Sequence, residues 1–315
     1  MKRTSHIIAL TLLSACSANP VDETTQTTTT QNSSTTGASS TTEPNQATTT
    51  SISTTTTVPS SGYDSALTER TWAVVLVTHD DVLNVRSAAG ASSPLVTAFS
   101  PTQTGIVATG NWEHIGSSTW MEVEAGNDSG WVNKFYLTQE WTTAEVIDSW
   151  DMLSVIQDLG EAMASGRDLG DPISHRGLHV AFFQDLPLLW SQAELESLMT
   201  DSTLIEFAYP GCGGPGECGA ETFADAIASR FVSVQQDIGL DTIVRTDTVV
   251  LGGNGYPSLE AMIPTVFENL HFVGLNDPGD DPSLTGLDWF IWLVFFELED
   301  GEPKVVGLVP DMWSP

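Results

Sequence analysis

The strongest constraint on the fold lies near the C-terminus, where two apolar runs flank a short acidic turn. The runs cover residues 289–298 and 304–309, and Asp300 and Gly301 lie in the turn between them. An Asp-Gly pair between two β-prone runs is a strong signal for a β-hairpin. The first run is apolar at consecutive positions, so both faces of its strand should be buried. The sequence therefore predicts a hairpin whose first strand lies in the middle of a sheet covered by helices.

Amphipathic patterns before this hairpin place it in an α+β domain over residues 143–315. Thr142 or Thr143 followed by Glu145 predicts the start of a helix, and apolar residues then recur every three or four positions until Gly166. The sheet should be mainly antiparallel. The region matches no family that we identify, although helices first and a long hairpin last is, by analogy, the order of NTF2-type and cystatin-like folds. Further helices are expected over 191–199 and 221–236, and further strands over 177–183 and 204–209.

The N-terminus has the organisation of an export signal. Two basic residues precede an apolar stretch over residues 7–13, which is too short for a transmembrane helix of about 20 residues. The stretch ends in Leu13-Ser14-Ala15-Cys16, which resembles the lipobox of bacterial lipoproteins. The resemblance implies that residues 1–15 are a signal peptide that is removed, that Cys16 is diacylated, and that the mature chain is anchored to a bacterial membrane outside the cytoplasm. An ordinary cleaved signal peptide is the alternative.

The segment 16–62 is predicted to be a lipid anchor followed by a disordered linker. From residue 17 onward it is dominated by Thr and Ser and contains no aromatic and no basic residue. Such a segment has no apolar surface whose burial could offset the entropy lost on ordering the chain. We expect it to hold the folded part of the protein away from the membrane.

The charge balance excludes one class of partner. The chain has 10 Lys and Arg against 41 Asp and Glu, which gives a formal net charge of −31 at pH 7. A surface this acidic repels phosphate backbones, so we expect no binding to nucleic acid. It also repels anionic lipid headgroups, so contact with the membrane is expected through the lipid alone.

Short β-prone runs between residues 68 and 140 contain four distinctive blocks. These are DVLNVRSAAG at 81–90, WMEV at 120–123, GWV at 130–132 and YL at 136–137. Together they resemble the bacterial SH3 (SH3b) domain, a family with an opening LNVRSGPG block, a W.KV strand and a GWV…YL close in this order. The chain departs from the pattern at Ala88 and Ala89, where the family usually has Gly and Pro, and at Glu122, where it has Lys.

The resemblance implies an SH3-like barrel over 68–140 that binds cell-wall peptide. Leu83, Val85 and Val132 are interpreted as core residues, because in their strands they alternate with polar side chains or pack beside glycine. Small barrels bind extended peptides in grooves lined by aromatic side chains. Any one of these aromatic side chains could instead belong to the core. The candidate peptide-binding residues are Trp112, Trp120, Trp131 and Tyr136.

Cys212 and Cys218 lie in a glycine-rich loop before the predicted helix 221–236 and, apart from Cys16, are the only cysteines of the chain. In an oxidising compartment such a pair is expected to form a disulfide. Free structural thiols and a metal site are alternatives, although zinc would need two further ligands. A third alternative makes Cys218 the nucleophile of a peptidoglycan hydrolase, with His271 as its base, because SH3b domains often accompany such cysteine peptidases.

Two histidines four residues apart, His175 and His179, could bind a metal on one face of a helix. Pro172 and Gly177 argue against a helix there, and on a strand the two rings would lie about 13 Å apart. We therefore interpret both as ordinary surface or turn histidines.

The remaining polar motifs are interpreted as turns. Residues 276–283 contain Asp277, Asp280 and Asp281 but lack the spacing of a calcium-binding EF-hand, and residues 251–257 lack the Lys-Ser/Thr of a phosphate-binding loop. The sequence thus predicts no catalytic residue, no metal site and no cofactor.

These features predict a multidomain protein: an anchored, disordered linker, a small all-β SH3-like barrel and an α+β domain with a mainly antiparallel sheet. The expected function is that of a non-enzymatic lipoprotein of the cell envelope, whose SH3b domain binds peptidoglycan peptide and displays the C-terminal domain. The alternatives are a cysteine hydrolase that uses Cys218 and His271, and a solute-binding or sensor lipoprotein.

Overall fold

The computed structural model describes residues 61–125, 128–167, 169–181, 187–206, 220–236, 238, 242–248, 263–277 and 289–312. These residues belong to one compact unit. Within them, no helix is both long and apolar enough to cross a membrane. The predicted signal peptide, Cys16 and the linker up to residue 60 lie outside the described residues, as do Cys212 and Cys218.

The first half of the described chain is all-β. Its sheet has the strand order β1-β5-β6-β7-β3-β4 with antiparallel neighbours, and β2 pairs separately with β8. Short 3₁₀ helices cover Ser65–Thr68 and Lys134–Tyr136. The strands are β1 (Ser61–Tyr63), β2 (Trp72–Val74), β3 (Leu83–Arg86), β4 (Leu95–Phe99), β5 (Ala108–Ile115), β6 (Ser118–Ala125), β7 (Asp128–Asn133) and β8 (Leu137–Gln139).

The expected unit of short antiparallel strands is confirmed, but the expected closed barrel is not. The edge strands β1 and β4 are not paired with each other in the part of the chain that the structure describes, so the first sheet is open. Leu83, Val85 and Val132 are buried in one core beneath this sheet, as the alternation of their strands predicts. The first sheet therefore has one packed face and one face on which side chains are available to a ligand.

The second half combines helices with a mainly antiparallel sheet, as predicted. Its strand order is β10-β9-β16-β15-β14-β13, and only the β9–β16 pair is parallel. A π-helical turn at Ala224–Ala228 leads into α4, and a 3₁₀ helix covers Thr265–Phe267. The helices are α1 (Thr143–Ser149), α2 (Met152–Ser165), α3 (Gln192–Leu198) and α4 (Ser229–Gln236). The strands are β9 (Leu178–Val180), β10 (Leu188–Trp190), β11 (Ile205–Glu206), β12 (Ala220–Glu221), β13 (Ile243–Thr246), β14 (His271–Asp277), β15 (Phe290–Glu299) and β16 (Glu302–Met312).

The terminal hairpin is confirmed in position, turn and burial. Asp300 and Gly301 both have positive φ, 51° and 87°, which is the requirement of a type I′ turn. β15 lies between β14 and β16, and its alternate side chains are buried in two cores, one on each face. The α-helices cover only one of these faces. The other packs against the 3₁₀ helix Thr265–Phe267 and against Val75, which follows β2.

The helix predicted from Thr142 to Gly166 is in fact two helices. Thr142 and Glu145 form the expected capping box, and Gly166 ends α2 in the left-handed conformation, with φ of 67°. Between them, Trp150 is extended and the Asp151 side chain accepts a hydrogen bond from the Ser154 amide at 3.2 Å. Asp151 therefore caps a second helix, a local signal that the apolar periodicity concealed.

The two halves are joined by the segment that follows β2. The Leu76 amide donates to the Val266 carbonyl at 2.9 Å, and the Asn269 side chain donates to the Val74 carbonyl at 2.8 Å. Val75, between these contacts, is buried in the core of the second half. The two halves of the protein therefore share hydrogen bonds and apolar contacts.

Candidate functional site

The open face of the first sheet gathers residues from three neighbouring strands. Across β6 and β7, Trp120 opposes Asn133 and Glu122 opposes Trp131, and across β3 and β7, Arg86 opposes Trp131. Directly opposed residues, and residues two apart in one strand, lie on the same face of a sheet. This open face is therefore the one opposite to the core that contains Val85 and Val132.

A cleft of about 320 Å³ lies on this face, and we call it the tryptophan cleft. Its size is that of a small ligand site, and it combines aromatic and apolar walls with a few polar groups, as such sites do. Val82 is the most accessible apolar part of the wall, with 45% of its surface exposed. Its lining includes the aromatic Trp120 and Tyr136, the apolar Leu76 and Val82, and the polar Asp81 and Arg86.

The structure brings two of the candidate aromatic residues into this cleft and leaves two outside it. Trp120 and Tyr136 line the cleft, whereas Trp131 lies on the same face without lining it. Trp112 opposes Met121 in the β5–β6 pair and packs against the core of the first sheet. The prediction that Trp112 binds peptide is therefore wrong, because its ring is on the packed side of the sheet.

Sequence analysis missed the wall that Leu76 and Val82 contribute. Both precede or begin the LNVRS block, and neither is part of an aromatic motif. The only local signal for this wall was Val82, an exposed valine directly before a strand in which apolar and polar residues alternate. The segment 76–82 lines the cleft together with β3, a contact that no periodicity in the sequence indicates.

A second cleft, of about 470 Å³, adjoins the first, and we call it the junction cleft because both halves of the protein line it. It shares Asn133 and Tyr136 with the tryptophan cleft. Its other lining residues are mostly polar: Ser117, Ser118, Thr119, Lys134, Phe135, His175 and Arg176.

Arg176 forms a buried ion pair within the second half and also contacts the first half. Its Nη2 lies 2.7 Å from Oε2 of Glu297, and its Nε lies 2.8 Å from Oε1 of the same carboxylate. The guanidinium also donates to the carbonyl oxygens of Phe135 and Leu137 in the first half, the latter at 2.8 Å. Burial raises the pKa of Glu297, and the neighbouring Arg176 opposes this effect by favouring the carboxylate. Arg176 thus links the ion pair of the second half to the 3₁₀ helix Lys134–Tyr136 and to β8 of the first half.

A possible metal-ligand cluster beside this pair does not have the character of a metal site. His175, Glu297 and Glu299 place ligand atoms within 4.8 Å of one another. However, Oε1 of Glu297 already accepts hydrogen bonds from Arg176 and Ser174, and Oε2 pairs with Arg176. Because the guanidinium would also repel a cation, we interpret the cluster as an ion-pair network.

The two histidines considered as metal ligands have separate environments. His175 is exposed and its Nδ1 lies 2.7 Å from Oε1 of Glu299, as expected for a turn histidine. His179 is buried in β9, where it opposes Leu189 of β10 and its ring lies edge-on to Phe267. The interpretation of His179 as a surface or turn residue is therefore wrong, because the face of β9 that carries its ring is buried.

His271, the candidate base of a cysteine hydrolase, is engaged within the protein. Its Nδ1 lies 2.7 Å from Oδ2 of Asp247, and its Nε2 lies 3.0 Å from the Trp141 carbonyl oxygen. Asp247 is held in turn by the Thr143 hydroxyl at 2.6 Å. Both ring nitrogens of His271 face protein acceptors, so neither is available to activate a thiol.

Several predicted sites fall outside the described residues. These are the lipidation site Cys16, the disulfide candidates Cys212 and Cys218, the aspartates Asp280 and Asp281, and the loop 251–257. Asp277 is described and ends β14.

Comparison with known proteins assigns no family to the chain. No protein-family model matches it, and no curated protein matches it. Among solved structures, it is similar to an NTF-2-like protein of unknown function from Silicibacter pomeroyi DSS-3, with 14% sequence identity over 54% of this chain and 98% of that one, and a TM-score of 0.24. A TM-score this low does not establish a shared fold, so the analogy with NTF2-type folds stays a prediction.

Proposed function

We propose that this protein is a lipid-anchored, non-enzymatic lipoprotein of the bacterial cell envelope that binds cell-wall peptide in the tryptophan cleft. The observation that carries the proposal is the cleft itself. It places the aromatic rings of Trp120 and Tyr136 beside an apolar wall and a few polar groups. Extended peptides bind to small β domains through this combination of aromatic surface and polar anchors.

The distribution of the SH3b-like blocks supports this proposal. The LNVR, WMEV and GWV blocks lie in β3, β6 and β7, which are hydrogen-bonded neighbours in the order β6-β7-β3. Residues from the LNVR, WMEV and YL blocks line the cleft, and Asn133, which directly follows the GWV block, lines it as well. Segments that are separate in the sequence therefore contribute to one surface, as a shared binding role requires.

The lipobox-like sequence supports the proposed location, and identifying the N-terminal residue of the mature protein and its modification tests it. We expect the N-terminal peptide of the mature protein to begin at Cys16 and to carry a diacylglyceryl group, measured by mass spectrometry. Two acyl chains are needed because one alone gives only marginal membrane binding. Cys16→Ser should abolish incorporation of labelled fatty acid, whereas Cys212→Ser should not change it. A mature protein that starts at Met1 without a lipid would contradict the proposed location.

Binding to cell wall is tested with the full-length protein and purified peptidoglycan sacculi. Val82→Asp should lower the fraction retained by the sacculi about ten-fold, because it places a charge in the apolar wall beside Asp81. The substitution is chosen because Val82 is 45% exposed, so folding should tolerate it. Retention is measured by co-sedimentation over a range of sacculus concentrations.

The matched control is Val107→Asp. Val107 is 42% exposed and does not line the tryptophan cleft. This variant should be retained as well as the unmodified protein. The proposal would be wrong if the unmodified protein were not retained, or if both substitutions weakened retention equally.

A further inference from the structure

The two clefts form one continuous surface, since Asn133 and Tyr136 line both of them. The ridge between them is the 3₁₀ helix Lys134–Tyr136, which begins where the Asn133 side chain accepts a hydrogen bond from the Phe135 amide at 3.0 Å. A ligand that extends beyond the tryptophan cleft over this ridge therefore enters the junction cleft. The first cleft offers aromatic and apolar groups, and the second offers mostly hydroxyl and charged groups.

Lys134 is the cation in the junction cleft whose charge is not neutralised at close range. The other two basic side chains there are paired, Arg176 with Glu297 at 2.7 Å and His175 with Glu299 at 2.7 Å. Among the described residues, no carboxylate lies within 4.0 Å of the Lys134 ammonium, although Glu297, Asp64 and Asp300 act on it from further away. The ring of Trp72 lies 5.8 Å from Nζ, measured to its centroid.

The position of Lys134 costs free energy in the absence of an anion. Its side chain is half-buried, and this burial, with repulsion from Arg176, lowers its pKa. The chain has 41 acidic residues against 10 Lys and Arg, so acidic partners are abundant in the sequence. A half-buried ammonium without a close carboxylate in such a chain is what an anion-binding position requires.

We propose that Lys134 binds a free carboxylate of the peptide that occupies the tryptophan cleft. The inference rests on the proposed function and names the chemical group that the junction cleft would recognise. Ser117 and Ser118, which line the same cleft, supply hydroxyl donors for the second carboxylate oxygen. A singly charged carboxylate fits better than a polyanion such as a phosphate polymer, because the net charge of −31 repels ligands that carry many negative charges.

The test compares two forms of one probe by titration calorimetry with the full-length protein. The probe is a soluble peptidoglycan stem pentapeptide, with free carboxylates or with every carboxylate amidated. The free acid should bind about ten-fold more tightly, the effect of one charge-assisted hydrogen bond. Non-specific attraction to so acidic a protein would favour the amidated peptide, which is more positive, so the expected preference is opposite to the background effect.

Lys134→Met is the matching variant, since it keeps the length of the side chain and removes its charge. It should bind both forms with the affinity of the amidated peptide, while Lys134→Arg keeps the preference. The control Lys304→Met removes another lysine, which donates to the Asp171 carbonyl and does not line either cleft, and it should behave like the unmodified protein.

The outcomes separate this inference from the proposed function. Equal binding of the two peptides by the unmodified protein would overturn the role of Lys134 and leave peptide binding intact. Binding of neither peptide would overturn the proposed function as well. Because the comparison of acid and amide uses the unmodified protein, it gives an answer even if a variant at Lys134 does not fold.

Discussion

Arg176→Met should lower the free energy of unfolding by about 3–5 kcal/mol, the usual cost of removing one partner of a buried ion pair. Glu297 is 3% exposed and would keep a buried charge or take up a proton without its guanidinium partner. Arg176 itself is 7% exposed and also donates to the carbonyls of Phe135 and Leu137. The substitution therefore removes the buried counter-charge and two hydrogen bonds that cross from the second half of the protein to the first.

The measurement is urea-induced unfolding at pH 7, with Arg230→Met as the matched control. Arg230 pairs with Glu221 at 3.0 Å, but both side chains are substantially exposed. Exposed pairs contribute about 0–1 kcal/mol, so this control should change stability little. The double variant Arg176→Met/Glu297→Leu should recover part of the loss, because it leaves no buried charge unpaired. Equal losses for Arg176→Met and Arg230→Met would show that the buried pair contributes no more to stability than an exposed one.

Between about pH 6.5 and pH 4, the protein should lose up to about 3 kcal/mol of stability through His179 alone. Burial, with the positive charge of Arg176, lowers the pKa of His179 from an ordinary value near 6.5 to about 4. In this interval the unfolded chain binds a proton at His179 that the folded protein does not bind, so stability falls as the pH falls. The Nε2 atom of this ring has no hydrogen-bond partner in the described structure, which is consistent with a neutral imidazole.

His179→Leu should remove most of this dependence, and urea unfolding at intervals of pH measures it. His114→Asn, which changes an exposed histidine of β5, should leave the dependence unchanged. The comparison is made above pH 4.5, because below this pH the protonation of Glu299 also changes the stability. Burial would raise the pKa of Glu299, but hydrogen bonds from His175 and Ser174 outweigh burial and lower this pKa to about 2. An unchanged slope in His179→Leu would mean that His179 is not the group responsible.

The parts of the fold that were predictable are those with a local signal. The terminal hairpin follows from an Asp-Gly pair between apolar runs, and the start and end of the helical region follow from Thr142, Glu145 and Gly166. The strands β10 and β13 were not identified, because each is short and lies at an edge of the second sheet, where alternation is weak.

The candidate site was predictable only in part, for a physical reason. Aromatic residues in the SH3b-like blocks identified Trp120 and Tyr136, but the side of the sheet on which each ring lies depends on register. Trp112 lies on the packed side because it opposes the buried Met121, a pairing that the sequence of β5 alone does not reveal. The Arg176–Glu297 pair joins residues 121 positions apart. In a chain with 41 acidic residues, sequence spacing cannot select the partner of one arginine.

The contacts between the segment that follows β2 and the second half limit where the chain can be cut into separately folding parts. A cut after Gln139 would remove the partners of Val74 and Leu76 in the second half and expose Val75 to water. We therefore expect that the first half, expressed alone or fused to another protein, loses stability, and that both halves have to be kept together in any shortened variant.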